Sequence, residues 1–269
     1  MKTQEIIESW YKALNFPKKY DAEFYDALNT ITIPENLTID TYDVEEQDGK
    51  RNFLAYLYFC EALKKQYASL GISESVLLDT VYDIRRWLDT WSMVKGELYL
   101  GELLWLSFHM RGTLFHLGTL QFAMGKAHYD CPDKGLTKGD PVIEVHIPAG
   151  TDLSKEAVDA SFAAAKAFFA EHFPEYEYRY FTCHSWMLGS TLNELLNPES
   201  KILAFQKRFD VVHEDKSEDI IRFVFRWDAT RESLEALEAT TGLMREVKAR
   251  VLAGETFYSS LGVIDKNSI

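Results

Sequence analysis

Seven histidines, His109, His116, His128, His146, His172, His184 and His213, are the side chains of this sequence best suited to moving protons or holding a metal at neutral pH. No two of them stand in an H-x-x-x-H pair and no C-x-x-C occurs, so spacing delivers no metal centre and none is expected. His146 closes the run VIEVHI (142–147), where alternation puts Ile143, Val145 and Ile147 on one face and Glu144 with His146 on the other. A carboxylate beside an imidazole near a strand end suits general-base chemistry, and the same pair serves equally as a hydrogen-bonded structural link. Cys183-His184-Ser185 joins a nucleophile to a base in sequence only, because neighbours on a strand point to opposite faces. Cys183 would need a histidine from another strand, and a buried cysteine acting as a small hydrophobe is the commoner case.

Anionic ligands have two candidate anchors. The turn Pro148-Ala149-Gly150-Thr151 leads into a helix, whose N-terminal N–H groups and dipole favour negative charge. Arg111 can reach a phosphate or carboxylate, or can tie a helical part to a sheet. Neither G-x-G-x-x-G nor G-x-x-x-x-G-K-[ST] is present, which removes the usual arguments for dinucleotides and ATP.

The elements that must position these groups change character along the chain. Apolar residues recur at helical spacing from Ile6 to Leu14, from Phe53 to Leu70 and from Leu77 to Trp91. Gly71 and Ser73 predict a stop and a cap between the last two, hence a helical hairpin. The acidic stretch from Asp43 to Asp48 reads as a solvated connector.

From Gly112 the pattern turns to strands at Thr113–Leu117, Thr119–Met124 and Val142–Ile147, with residues 125–140 a loop long enough to be a lid or binding loop. A helix over 154–172 follows, then strands at Arg179–Ser185 and Arg208–His213, a helix capped by Ser217, a longer one over Leu234–Leu252, and a strand at Thr256–Val263. The prediction is an α+β protein with a helical domain over 1–108 and a mixed-sheet domain over 109–269.

With 269 residues, 46% of them hydrophobic, and a net charge of −13, the chain has a core to bury and neither half is basic. That balance argues against nucleic acid or anionic lipid as a partner. Three cysteines cannot all pair, the first sixteen residues lack a signal-peptide core, and no apolar run approaches 18 residues. A cytoplasmic protein without a membrane span is expected; its oligomeric state is not encoded in these patterns.

The segments FHMRGTLFHLGTLQF, EVHIPAGTDLSKEAVDASFAAAKAFF, FTCHSWMLGSTLNELLNPESKILAFQKRF and TTGLMREVKARVLAGETFYSSLG resemble a bacterial family of acyltransferases. In that family a helical N-acyltransferase-type N-terminal region precedes a GNAT-like C-terminal domain. The resemblance implies a helical N-terminal region packed on a GNAT-like mixed β-sheet domain. It also implies an acyl-CoA co-substrate, acetyl-CoA or a longer one, bound where the central sheet splays, with its pyrophosphate at the turn after the strand 142–147. The implied acceptor is a small-molecule amine or a peptide. Residues carried over are Glu144 or His146 as base, His184 and Ser185 as substrate or oxyanion contacts, Ala149, Gly150 and Thr151 as pyrophosphate donors, and Arg111 as a further ligand contact.

The turn reads HIPAGT where the GNAT phosphate signature is Q/R-x-x-G-x-G/A. This departure points to the competing reading, a GNAT-like scaffold kept as a non-catalytic small-ligand sensor or interaction protein. A Cys183-dependent transferase or hydrolase is the third.

Overall fold

The computed structural model describes residues 2–269 and divides into two compact units, one ending at His116 and the other spanning Leu117–Ile269. In the first unit, helices α1 (Thr3–Ala13), α2 (Asp21–Thr30), α3 (Gly49–Ser69), α4 (Glu74–Val81), α5 (Asp83–Lys95) and α6 (Leu103–Met110) precede strand β1 (Leu114–Leu117). Asp48 starts α3 by accepting from the N–H groups of Lys50 (3.1 Å) and Arg51 (3.0 Å). The α3–α4 hairpin forms as its residues dictate. Gly71 takes φ +72°, which a side chain resists, and Ser73 Oγ accepts from Val76 N.

Aromatic packing holds this unit together. Tyr11 stacks on Phe24 with centroids 3.7 Å apart, and Phe16 and Phe24 meet Phe53 edge-on. The predicted continuous helix from Leu77 to Trp91 is two helices jointed at Tyr82, and the joint places Asp83 inside the unit at the first residue of α5. Helices α2 and α6 are absent from the sequence expectation, both being short, α2 with only Phe24, Ala27 and Leu28 buried and α6 apolar almost all round.

The second unit runs β2 (Leu120–Lys126), β3 (Pro141–His146), α7 (Lys155–His172), β4 (Tyr180–Ser185), α8 (Leu192–Leu195), α9 (Lys201–Gln206), β5 (Asp210–Lys216), α10 (Asp219–Val224), α11 (Gly242–Leu252) and β6 (Tyr258–Asp265). The sheet order is β1-β2-β3-β4-β6-β5, mixed because β3 and β4 alone are parallel neighbours among the paired registers. Helix α7 seals one face, its Phe162 meeting Phe122 of β2 and Phe181 of β4 edge-on at 5.7 and 5.2 Å. The other face receives the loop 127–140, through Ala127, Cys131 and Leu136 packed on Val142, Tyr180 and Val263.

The helix expected over Leu234–Leu252 is shorter. A 3₁₀ turn at Leu234–Ala236 is separated from α11 by residues 237–241, and Thr241 Oγ1 accepts from Met244 N at 3.1 Å. A threonine that caps cannot also sit mid-helix, so the apolar periodicity across this break belongs to two elements. No helix of the described residues is long and apolar enough to cross a membrane.

Candidate active site

Strands β3 and β4 pair at only two positions, Ile143 with Phe181 and Glu144 with Thr182. Each continues past that point on its outer side. β3 stays in register with β2 as far as His146 opposite Gln121, and β4 with β6 as far as Ser185 opposite Ser260. The inner edges are therefore unpaired beyond this point while the outer edges remain held, which leaves a gap in the pairing at the C-terminal ends of two parallel strands. Extended backbone at such a gap offers N–H and C=O groups to a ligand.

Side-chain alternation distributes the candidates around the gap. Ile143 and Val145 are buried on the α7 side, so Glu144 and His146 face the other way, as their spacing predicted. Thr182, opposite Glu144, and exposed His184 lie on that same face across the gap. Ser185 falls on the α7 side with Cys183. Its Oγ accepts from Met187 N at 3.1 Å, capping the 3₁₀ turn Trp186–Leu188, which leaves its own hydroxyl proton to donate. The structure thus brings Glu144 and His146 together, puts His184 on the same sheet face one strand away, and sets Ser185 on the opposite face.

Glu144 is the hub. Its Oε2 lies 3.6 Å from His146 Nε2 and its Oε1 3.4 Å from His128 Nε2. Burial pushes the carboxyl pKa up, but the neighbouring imidazoles of His146 and His128 outweigh it and hold the group below its ordinary value. His128 was not singled out by sequence reasoning. The available signal was the length of the loop that carries it.

Space for the carboxylate comes from Gly125 on β2, where an added Cβ would fall 2.4 Å from Glu144 Oε1 and 2.6 Å from its Cδ. Because Gly125 is not among the positive-φ glycines, alanine fits the backbone. Gly125→Ala should therefore fold normally and displace the Glu144 carboxylate, lowering kcat roughly tenfold or more with acyl-CoA affinity retained. Unaltered kcat would show that the position of this carboxylate is immaterial.

The phosphate turn differs from expectation in one respect. Ala149 and Gly150 (φ +79°) are exposed, but the Thr151 N–H closes the turn onto Pro148 O at 3.2 Å, and its hydroxyl donates to Pro148 O and Thr119 O. Thr151 is thus not poised as a phosphate donor. Beyond it, Asp152 sits before α7, accepting from Ser154 N (2.9 Å), Ser154 Oγ (2.8 Å) and Lys201 Nζ (2.9 Å). These contacts, Lys201 foremost, hold its pKa down to about 2. An internal carboxylate already takes up the charge that the helix end would offer a phosphate.

Positive charge lies alongside instead. A cavity of about 470 Å³ runs between α7 and α9, with Phe162 and Phe205 in its lining and Lys155, Lys166, Lys207 and Arg208 around it. Its size is that of a small-molecule site. Arg208 also pairs with Asp159, which Lys155 contacts at 2.6 Å. Sequence reasoning missed these four cations because they are spread over α7 and the turn that follows α9 in an acidic chain.

Arg111 belongs to the first unit, where its guanidinium is held by Asp40 Oδ1 (3.2 Å) and Ser107 Oγ (3.0 Å). Cys183 is buried and its thiol pKa is pushed up to about 12 by that burial, which overturns the cysteine-nucleophile reading. Among the described residues no three His, Cys, Asp or Glu side chains are grouped to hold a metal.

Comparison with known proteins gives the family and the fold. Residues 114–264, more than half of the sequence, match the family described as GNAT-like C-terminal domain. The chain belongs to this family. Residues 3–112 of this GNAT-like protein match the N-acyltransferase N-terminal domain. Its fold is shared with a solved acyltransferase in complex with decanoyl-CoA and teicoplanin, at TM-score 0.81 and 23% identity over 97% of this chain and 88% of that one. It is shared also with an acyltransferase in complex with CoA and 10C-teicoplanin (TM-score 0.79, 22% identity, 96% and 87%). A third, an acyltransferase in complex with decanoyl-CoA, superposes at 0.71 with 25% identity over 96% and 75%. No curated protein matches the sequence.

Proposed function

We propose that this protein is an acyl-CoA-dependent N-acyltransferase that moves an acyl group directly from the CoA thioester to a small-molecule or peptide amine. The observation that carries this reading is the parting of β3 and β4 after two paired residues, with Glu144 and His146 on one lip and His184 on the other. Two solved proteins of the same fold hold decanoyl-CoA, one of them together with teicoplanin, and another holds CoA with 10C-teicoplanin, which supports a donor of this class and a small-molecule or peptide acceptor.

In the proposed reaction the acceptor amine gives up a proton to His146, oriented by Glu144, and attacks the thioester carbon. His184 across the gap and backbone N–H groups at the parting strands stabilise the oxyanion, and the Ser185 hydroxyl meets the thioester arm from the α7 side. Collapse expels the CoA thiolate, which takes up a proton. No enzyme nucleophile is needed, in keeping with the inert Cys183. The cations of the α7–α9 cavity, with the exposed Ala149 and Gly150 N–H groups, supply what the HIPAGT turn lacks for the CoA phosphates.

Thermal melts with CoA, acetyl-CoA and decanoyl-CoA test the donor. A ligand at a hundred times its Kd adds about 2.7 kcal/mol to stability, so the melting temperature should climb with concentration for at least one of them. No movement with any would sink the reading. The alternative of a non-catalytic ligand sensor is favoured by one feature, the Asp152 carboxylate at the phosphate turn, and would show binding without transfer to any amine.

A further inference from the structure

Both sequence neighbours of His128 are pinned. Ala127 is bonded twice to the far end of the loop, donating to Asp140 O (2.9 Å) and accepting from Gly139 N (2.8 Å). Tyr129 stacks on His213 with centroids 4.1 Å apart, and its hydroxyl points at Asp215 Oδ2, which His213 Nε2 meets at 2.9 Å. Further along, Tyr180 Oη donates to Lys134 O at 2.6 Å and Lys134 pairs with Asp210. A loop fastened at so many points delivers the His128 imidazole to one place, and that place is Glu144.

Exposure rises at the last member of the line that results. The His146 and Glu144 side chains are 29% and 27% exposed, with His146 Nε2 itself shielded from solvent and facing Glu144, and Glu144 faces His128, which is 70% exposed. Both separations lie slightly beyond hydrogen-bond length, so a movement of a few tenths of an ångström closes them.

The geometry points to His128 as a positioning residue that shares the Glu144 carboxylate with His146 and discharges to solvent the proton His146 removes from the acceptor. This rests on the reading of His146 as the base. An acceptor amine arrives as an ammonium and must lose one proton before it can attack. That N–H bond breaks and a new one forms at the His146 nitrogen turned away from Glu144. The proton on Nε2 passes to Glu144, from there to His128 Nε2, and one proton leaves the other His128 nitrogen for water. One proton enters the line and one departs, with no change in oxidation state.

The other titratable group against Glu144 is Tyr176, whose hydroxyl donates to Gly125 O and Val142 O. Burial, and then the Glu144 charge, raise its pKa, so it stays a fixed donor and does not compete for the proton.

Histidine side-chain NMR spectra of the wild type, His128→Gln and Glu144→Gln provide a test that needs no acceptor. Because both imidazoles meet one carboxylate, His128→Gln should move the ring signals of His146, and Glu144→Gln should move those of both imidazoles. His146 ring signals untouched by His128→Gln overturn the proposal. In turnover with decanoyl-CoA and glucosamine as the amine probe, His128→Gln should lower kcat roughly tenfold in dilute buffer, leave KM for decanoyl-CoA unchanged, and recover on addition of imidazole. If His146→Ala is inactive while His128→Gln equals wild type in dilute buffer, the relay fails and the base stands. If His146→Ala keeps full turnover, the base reading fails and takes the relay with it.

Discussion

Replacing His146 with Ala should lower kcat by about 10²–10⁴-fold, the range a positioned general base contributes, while acyl-CoA still raises the melting temperature as it does in the wild type. The two readouts separate because His146 lies on the face away from α7, whereas the cations of the cavity lie along α7 and α9. Glu144→Gln should cost less, since the amide can still accept from the imidazole but cannot balance its charge. The pH dependence has a defined sign. Glu144 titrates below the ordinary carboxylate value because its two imidazole neighbours outweigh its burial, so it stays ionised as pH falls from neutrality and drops out only at more acid pH. Protonation of Glu144 should therefore cut the rate only below the ordinary carboxylate range, an acid limb that Glu144→Gln lacks. Turnover in His146→Ala within twofold of wild type, with donor binding intact, removes His146 from the reaction.

What the residues announced on their own was whatever depends on near neighbours. Alternation in VIEVHI set the faces of Glu144 and His146, Gly71 and Ser73 marked a hairpin, and the length of the loop after β2 marked it as more than a connection. The gap between β3 and β4 was expected only through the family resemblance, because it depends on where pairing stops between residues 38 apart in sequence. His128 and the four cavity cations were illegible for the same reason: a loop must close, or two helices must pack, before their side chains converge. At the phosphate turn the pattern misled. Helix N-termini attract anions in general, but here Asp152 in the chain itself answers that attraction. The helical span over Leu234–Leu252 failed because two threonines and a glycine served as a cap and start instead of helix interior.

Asp83→Ala should destabilise the first unit by about 3–5 kcal/mol, the cost of breaking a buried ion-paired network by removing one member. Asp83 is 3% exposed, accepting from Trp105 Nε1 at 2.9 Å and Arg86 at 3.1 Å, and its Oδ2 lies 3.2 Å from His109 Nε2. His109 is itself fully buried, with Nδ1 against Trp105 O at 3.3 Å. Without the carboxylate, donors on three side chains, that of His109 fully buried, lose their acceptor at once. Asp83→Asn should cost less, since one oxygen still accepts.

The pH behaviour distinguishes this from a simple cavity. Burial raises the Asp83 pKa, but hydrogen bonding and charge from His109, the Trp105 N–H and the Arg86 charge outweigh it and set the folded value well below the ordinary carboxylate range. A depressed carboxylate contributes stability that is fully present above its unfolded pKa, about 3.9, and is lost as pH falls toward the folded value. The gap in stability between wild type and Asp83→Ala should therefore hold constant from pH 7 to 5 and narrow below about pH 4. Denaturant melts at pH 7 and pH 3 measure it. An equal gap at both, or none at pH 7, would mean the carboxylate is not what joins α5 to α6.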